Sequence, residues 1–196
     1  MNNSDKFKIG VFGSAGGDFE QLKPLAREIG QTIATEGHIL ITGGCPGLPY
    51  EAALGAHKRG GLVVGISPAL NLEQHRDVFK FPIHPHILIF TGFEKKGRNV
   101  ISIRTCDAAI FISGRSGTLN EFTSFWDEGD PTKAIGLLAN TGGVVDHEIA
   151  SYIVRTRDEK PSRVSLSKSS DPRTLIHMVL GQLKVNQITT RRNQRL

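Results

Sequence analysis

The feature that most constrains this chain is a switching between two periodicities. Short apolar runs rich in β-branched residues recur: KIGVFG (8–13), HILITG (38–43), LVVGIS (62–67), HILIFT (86–91), DAAIFIS (107–113) and KAIGLLA (133–139). A shorter RVSLS (163–167) is a candidate seventh. Runs of this kind suit strands covered on both faces. Helix-length patterns separate them. Phe19, Leu22, Leu25, Ile29 and Ile33 fall at helical spacing, and residues 48–59, 94–105, 118–128, 144–155 and 171–183 supply further helices. Pro24 interrupts the first pattern, so that helix is expected to begin near Lys23 with the proline in its first turn. The alternation predicts an α/β fold, a doubly wound parallel sheet of six to seven strands with helices on both faces.

A length of 196 residues suits one well-buried core, and no repeat or low-complexity linker divides it. A single domain over 1–183 is expected, followed by a basic, flexible tail over 184–196. That tail holds Lys184, Arg191, Arg192 and Arg195 and no acid, so it carries four of the five net positive charges. The body is nearly neutral, which argues against nucleic acid as a general partner and confines that reading to the tail. No apolar run has the roughly 18 residues of a membrane span. The N-terminus leads into a strand with no signal-peptide core. Cys45 and Cys106 are far apart, with no metal-type spacing. The expectation is a cytoplasmic protein with no membrane partner.

In an open α/β sheet, ligands bind beyond the carboxyl ends of the strands. Three glycine-bearing loops fall there: GSAGG (13–17), TGGCPG (42–47) and SGRSGT (113–118). Glycine permits close backbone approach, and a helix N-terminus offers unpaired N–H groups to an anion. Gly13, Ser14, Gly43, Gly44, Gly47, Gly114, Arg115, Ser116, Gly117 and Thr118 are therefore candidate ligand and phosphate contacts. Neither the dinucleotide fingerprint nor a P-loop Gly-Lys-Ser/Thr occurs. Thr118-x-x-Glu121 also reads as a capping box, a purely structural role for both residues. Asp107 is expected to pair or cap. Phe122, Phe125 and Trp126 are expected in the core or at an interface. His84 and His86 flank Pro85, but no third ligand is marked by spacing, so no metal site is expected. Cys45 lies in a loop before a helix, a place where a thiol pKa can fall. Residues 68–85, with three prolines, are either a functional loop or a surface excursion with a short helix.

These residues resemble the LONELY GUY (LOG) family, often mislabelled lysine decarboxylase, and the related molybdenum-cofactor carrier proteins. The family pattern is an Arg, an Asp nine residues on, then a strand ending in PGGxGTxxE. Arg98, Asp107 and SGRSGTLNE keep that spacing. The family's GGGxxGLM is similar to TGGCPGLP (42–49), and the resemblance covers roughly residues 8–140. It implies a Rossmann-like homodimer that binds a nucleotide or a phosphorylated pterin. LOG enzymes hydrolyse the N-glycosidic bond of a nucleoside 5′-monophosphate, releasing base and ribose 5-phosphate. Carried over, Glu121 and Arg98 would be catalytic. Glu121 would support the positive charge that develops on the sugar, and Arg98 would hold the substrate or orient the carboxylate.

Three departures matter. Ser113 and Arg115 stand for the proline and second glycine of PGG, and Thr42 stands for the first glycine of GGG. Arg98-Asn99 replaces the Arg-Lys of LOG enzymes, as in carrier-like members. Arg115 would obstruct the phosphate or grip it. The expected function is a binder of the carrier type, with a LOG-type phosphoribohydrolase as the alternative. A DNA-processing or signalling relative of the same fold is the minor third reading. No cofactor is expected to be needed for catalysis; a nucleotide or molybdopterin-type molecule is the expected bound ligand. A lysine decarboxylase is not expected, since nothing marks a pyridoxal-phosphate lysine.

Overall fold

Strands β1 (Lys8–Gly13), β2 (Ile39–Thr42), β3 (Val63–Ser67), β4 (Ile87–Phe90), β5 (Ala108–Ile112), β6 (Ala134–Leu138) and β7 (Ser165–Ser169) all fall within two residues of the apolar runs. A computed structural model describes residues 6–17, 19–83, 85–156 and 163–193. Every strand pair is parallel, and the sheet order is β4-β3-β2-β1-β5-β6-β7. The chain winds outward from β1 to β4, returns beside β1 as β5, and winds outward again. The order therefore reverses between β1 and β5, which opens a crevice at their carboxyl ends.

Among the described residues six α-helices cover the sheet: α1 (Lys23–Thr35), α2 (Leu48–Lys58), α3 (Glu94–Thr105), α4 (Ser116–Asp127), α5 (Ala150–Thr156) and α6 (Pro172–Asn193). Alternation along β5 shows how two layers form. Ala108, Ile110 and Ile112 pack with α1, α2 and α6, whereas Ala109 and Phe111 pack with α3 and α4. All five are buried, so the run reads as unbroken apolar sequence. Phe122, Phe125 and Trp126 of α4 are buried in the second layer, as their spacing suggested. Asp107 is structural: it accepts from the Lys8 backbone N–H (2.7 Å) and pairs with Lys8 Nζ (2.8 Å). No helix of the described residues is long and apolar enough to cross a membrane.

One expected boundary holds and one moves. Pro24 does stand in the first turn of α1, but α6 continues past Leu183 to Asn193. The segment read as a flexible tail is thus helical as far as it is described. No glycine or proline interrupts it, and the Asn186 amide donates to the Lys133 carbonyl at 3.3 Å, holding the extension against the sheet edge. The described part of the proline-rich stretch, residues 68–83, takes the form of an anchored excursion with one π-helical turn, Gln74–Val78. Its His75 is fully buried, 2.8 Å from the Ser67 hydroxyl and 3.2 Å from the Pro82 carbonyl.

Candidate functional site

A cleft of about 450 Å³ opens at the reversal point, between the β1–α1 loop, the β5–α4 loop and helix α3. Of the residues expected at a ligand site, Gly13, Ser14, Arg98, Arg115, Ser116, Gly117, Thr118 and Glu121 line it. Gly43, Gly44, Gly47 and Gly114 do not.

The β5–α4 loop is held from three sides. Ser113 N–H donates to Thr141 Oγ1 (2.9 Å), and Gly114 N–H donates to Ser14 Oγ (3.1 Å). The Gly114 carbonyl accepts from Val144 N–H (3.0 Å). Ser113 sits at φ +52°. Proline could neither adopt that angle nor donate to Thr141, so the departure from PGG follows from this turn's geometry. Gly114 has φ +99°, and a Cβ there would strike the Thr118 side chain.

Helix α4 begins at Ser116, with extended Arg115 as its N-cap and no side-chain cap. The capping-box reading is therefore corrected. Thr118 is already the third helical residue and Glu121 the sixth, too far along to reach the helix start. The N–H groups of Ser116, Gly117 and Thr118 have no carbonyl one turn back to receive them, and all three residues line the cleft. The helix dipole adds a partial positive charge at this end.

Opposite them stands Arg98, in α3 and only 6% exposed. Its Nε is buried with no hydrogen-bond partner among the described residues. Nη1 lies 3.8 Å from Glu121 Oε1, an ion pair too long to be a hydrogen bond. Arg98 has this room because residue 43 is glycine; a Cβ there would collide with the guanidinium. Turned so that its nitrogen faces Glu121, the Asn99 amide donates to Oε1 at 3.2 Å and to the Lys95 carbonyl at 3.0 Å. Burial pushes the Glu121 carboxyl up to about 7, against the pull of Arg98. Near neutral pH this group exists in both protonation states, so it can give or take a proton or, when ionised, face a developing cation.

Arg115, the N-cap of α4, is tied to the opposite loop. Its guanidinium reaches across to the β1–α1 loop and donates to the Gly16 carbonyl at 2.7 Å. Cys45 lines the cleft beside Pro46, and its pKa moves opposite to the direction such a loop permits: burial pushes the thiol up, and Arg98 pulls it down by less.

Phe81, Lys95 and Lys96 also line the cleft, and sequence reading did not single them out. Lys95 was findable, since it lies three residues before Arg98 on one helix. Phe81 lies in the proline-rich stretch, where no periodicity marks a side chain's direction. Among the described residues no cluster of three or more His, Cys, Asp or Glu could hold a metal ion. The His84 half of the histidine pair lies outside the described residues; His86 Nδ1 accepts from Val63 N–H at 3.2 Å.

Comparison with known proteins adds to this geometry. The sequence pattern of the SLOG cluster4 family matches residues 6–176. An uncharacterized protein of Archaeoglobus fulgidus is 35% identical over 122 residues, 62% of this chain and 75% of that protein. A cytokinin riboside 5′-monophosphate phosphoribohydrolase of Mycobacterium marinum is 29% identical over 129 residues, 63% of this chain and 64% of the enzyme. The alignment thus spans less than two thirds of that enzyme's length. Among solved structures, the molybdenum cofactor carrier protein of Chlamydomonas reinhardtii superposes with a TM-score of 0.72 at 25% identity. That superposition covers 91% of this chain and 99% of the carrier.

Proposed function

The chain belongs to the SLOG cluster4 family, and on that footing we propose that it binds a small phosphorylated molecule, a nucleotide or a phosphorylated pterin. The observation that carries this reading is Arg98, a buried guanidinium with an unpartnered Nε, facing a cleft walled by the first turn of α4. A buried cation with donors to spare is costly unless something anionic completes its shell. The α4 N–H groups supply the complementary donors for a phosphate, and Phe81 offers an aromatic face to a planar ring. The names of two relatives point the same way: one carries a molybdenum cofactor, the other acts on a riboside 5′-monophosphate.

A second reading, a nucleoside 5′-monophosphate phosphoribohydrolase, draws support from Glu121. In that reaction water attacks the sugar carbon and the base departs with the bonding pair and a proton. An ionised carboxylate beside the sugar stabilises the cation-like transition state. With its pKa at about 7, Glu121 would make the rate rise as the pH climbs through neutrality.

Incubation with AMP and related monophosphates separates the two. Free base that disappears in Glu121→Gln supports the hydrolase. Thermal stabilisation by nucleotide or molybdopterin without base release supports the binder; a ligand at a hundred times its Kd adds about 2.7 kcal/mol. If neither ligand class stabilises the protein or reacts, both readings fail. We also infer a homodimer, supported by the exposed Ile87 and Ile89 on edge strand β4 and by Phe93 and Val100 beside and on α3. Light scattering giving a monomer mass at micromolar concentration would refute it.

A further inference from the structure

We propose that Arg115 makes this cleft a site for two adjacent phosphoryl groups, so that the protein prefers a diphosphate to a monophosphate. The inference rests on the phosphate-binding reading above and goes beyond it by naming the ligand's charge.

Arg115 occupies the N-cap of α4, directly before the N–H groups that would take the first phosphate. Its side chain crosses the mouth of the cleft to the β1–α1 loop, where Nη2 donates to the Gly16 carbonyl at 2.7 Å. The same nitrogen lies 3.7 Å from the position a Cβ would take on Gly16 or Gly17. That is ordinary contact distance, so the hydrogen bond to the Gly16 carbonyl is what fixes the guanidinium against the loop. A guanidinium carries five N–H donors, and the Gly16 carbonyl is its one acceptor among the described residues. The remaining donors belong to a side chain that lines the cleft. A planar fork with one edge anchored loses little further freedom in gripping an oxyanion.

The charge inventory agrees. Lys95, Lys96, Arg98 and Arg115 line the cleft against the single carboxylate of Glu121. With Glu121 ionised, three positive charges are in surplus, more than one phosphate monoester of roughly −2 cancels. Arg98 and the α4 N-terminus suffice for one phosphate. Arg115, where the resembling family has glycine, is positioned for the next.

The test is calorimetric titration of the whole protein with AMP and ADP, and in parallel with inorganic phosphate and pyrophosphate, which carry no base. Wild type is expected to bind the two-phosphoryl member of each pair at least about tenfold more tightly. Arg115→Gly should bring that ratio below about twofold, with the diphosphate suffering most. Arg115→Met, which keeps much of the stem's packing, gives the same ratio if the glycine variant fails to fold. Equal affinities in wild type overturn the proposal. So does an Arg115 variant that weakens both members equally, because Arg115 would then grip the only phosphate or merely clamp the loop. Monophosphate binding with no diphosphate preference sinks this inference alone. Binding of none of the four probes sinks the phosphate reading as well.

Discussion

The β2–α2 and β5–α4 loops look alike in sequence and do different work. Both are glycine-rich, both leave a central strand at its carboxyl end, and both lead into a helix. At α2, however, the helix N-terminus is already spent. Leu48 N–H donates to the Ser14 carbonyl at 2.9 Å, and the next residue, Pro49, has no N–H. Gly43 makes room for Arg98, and Gly47 lets the loop lie against Ser14 and Ala15. At α4 the first three residues line the cleft, and their N–H groups have no side-chain cap among the described residues. Glycine thus serves backbone packing in one loop and leaves an open helix end in the other. Only the second matches the anion site proposed above.

The sharpest way to break this contrast is Gly43→Val. The added side chain would displace the Arg98 guanidinium and leave Glu121 without its counter-charge. Overpacking of this kind costs on the order of 3 kcal/mol, and ligand affinity should fall with it. A chemical-denaturation midpoint unchanged from wild type would show that Arg98 does not depend on that space.

Glu121 comes next. Its pKa is about 7 in the fold against an ordinary 4.5, so the folded protein holds this proton more tightly than the unfolded chain. The contribution is complete below pH 4.5 and is lost as the pH rises through about 7. Glu121→Gln, which cannot ionise, should therefore match wild type at low pH. It should be more stable by up to about 3 kcal/mol above neutrality. Parallel pH–stability curves for the two proteins would mean that Glu121 is not held in a desolvated site.

A smaller effect is expected at Ser14, whose hydroxyl accepts from Gly114 N–H. Ser14→Ala should cost about 1 kcal/mol and loosen the β5–α4 loop, detected as faster amide exchange at Gly114. Protection equal to wild type would show that the loop does not need this tie. The smallest change in stability belongs to Gly117→Ala. Nothing lies within 4 Å of the added methyl, and alanine favours the helix by up to about 1 kcal/mol. Stability should hold or rise while phosphate affinity falls, because the methyl intrudes beside the N–H groups. Affinity equal to wild type would move the anion away from α4. Gly43→Val and Gly117→Ala together thus tell packing glycine from site glycine.

Much of the fold was legible because burial on both faces leaves its mark on every residue of a strand. The runs at 8–13 and 94–105 coincide with β1 and α3 to the residue. Arg98 and Glu121 were legible by family spacing. The start of α4 was not, because Arg115-Ser116-Gly117 carries no capping signal and the turn is set by Thr141, Ser14 and Val144 from distant loops. Phe81 escaped for a related reason: its N–H donates to the His75 carbonyl and its ring meets the His75 ring edge-on, while Ser67 and Pro82 hold that imidazole.

Local chemistry, then, determined the alternating elements, the parallel sheet and the presence of three glycine loops at one edge. Periodicity and backbone preference act over a few residues and need no partner. Tertiary structure alone decided which residues of those loops line the cleft, how far α6 extends and why Arg98 and Glu121 share it. A raised carboxyl pKa and a guanidinium whose Nε has no hydrogen-bond partner among the described residues are both consequences of what lies across the fold. Desolvation and hydrogen-bond competition operate between segments a hundred residues apart, and no window of sequence contains both sides.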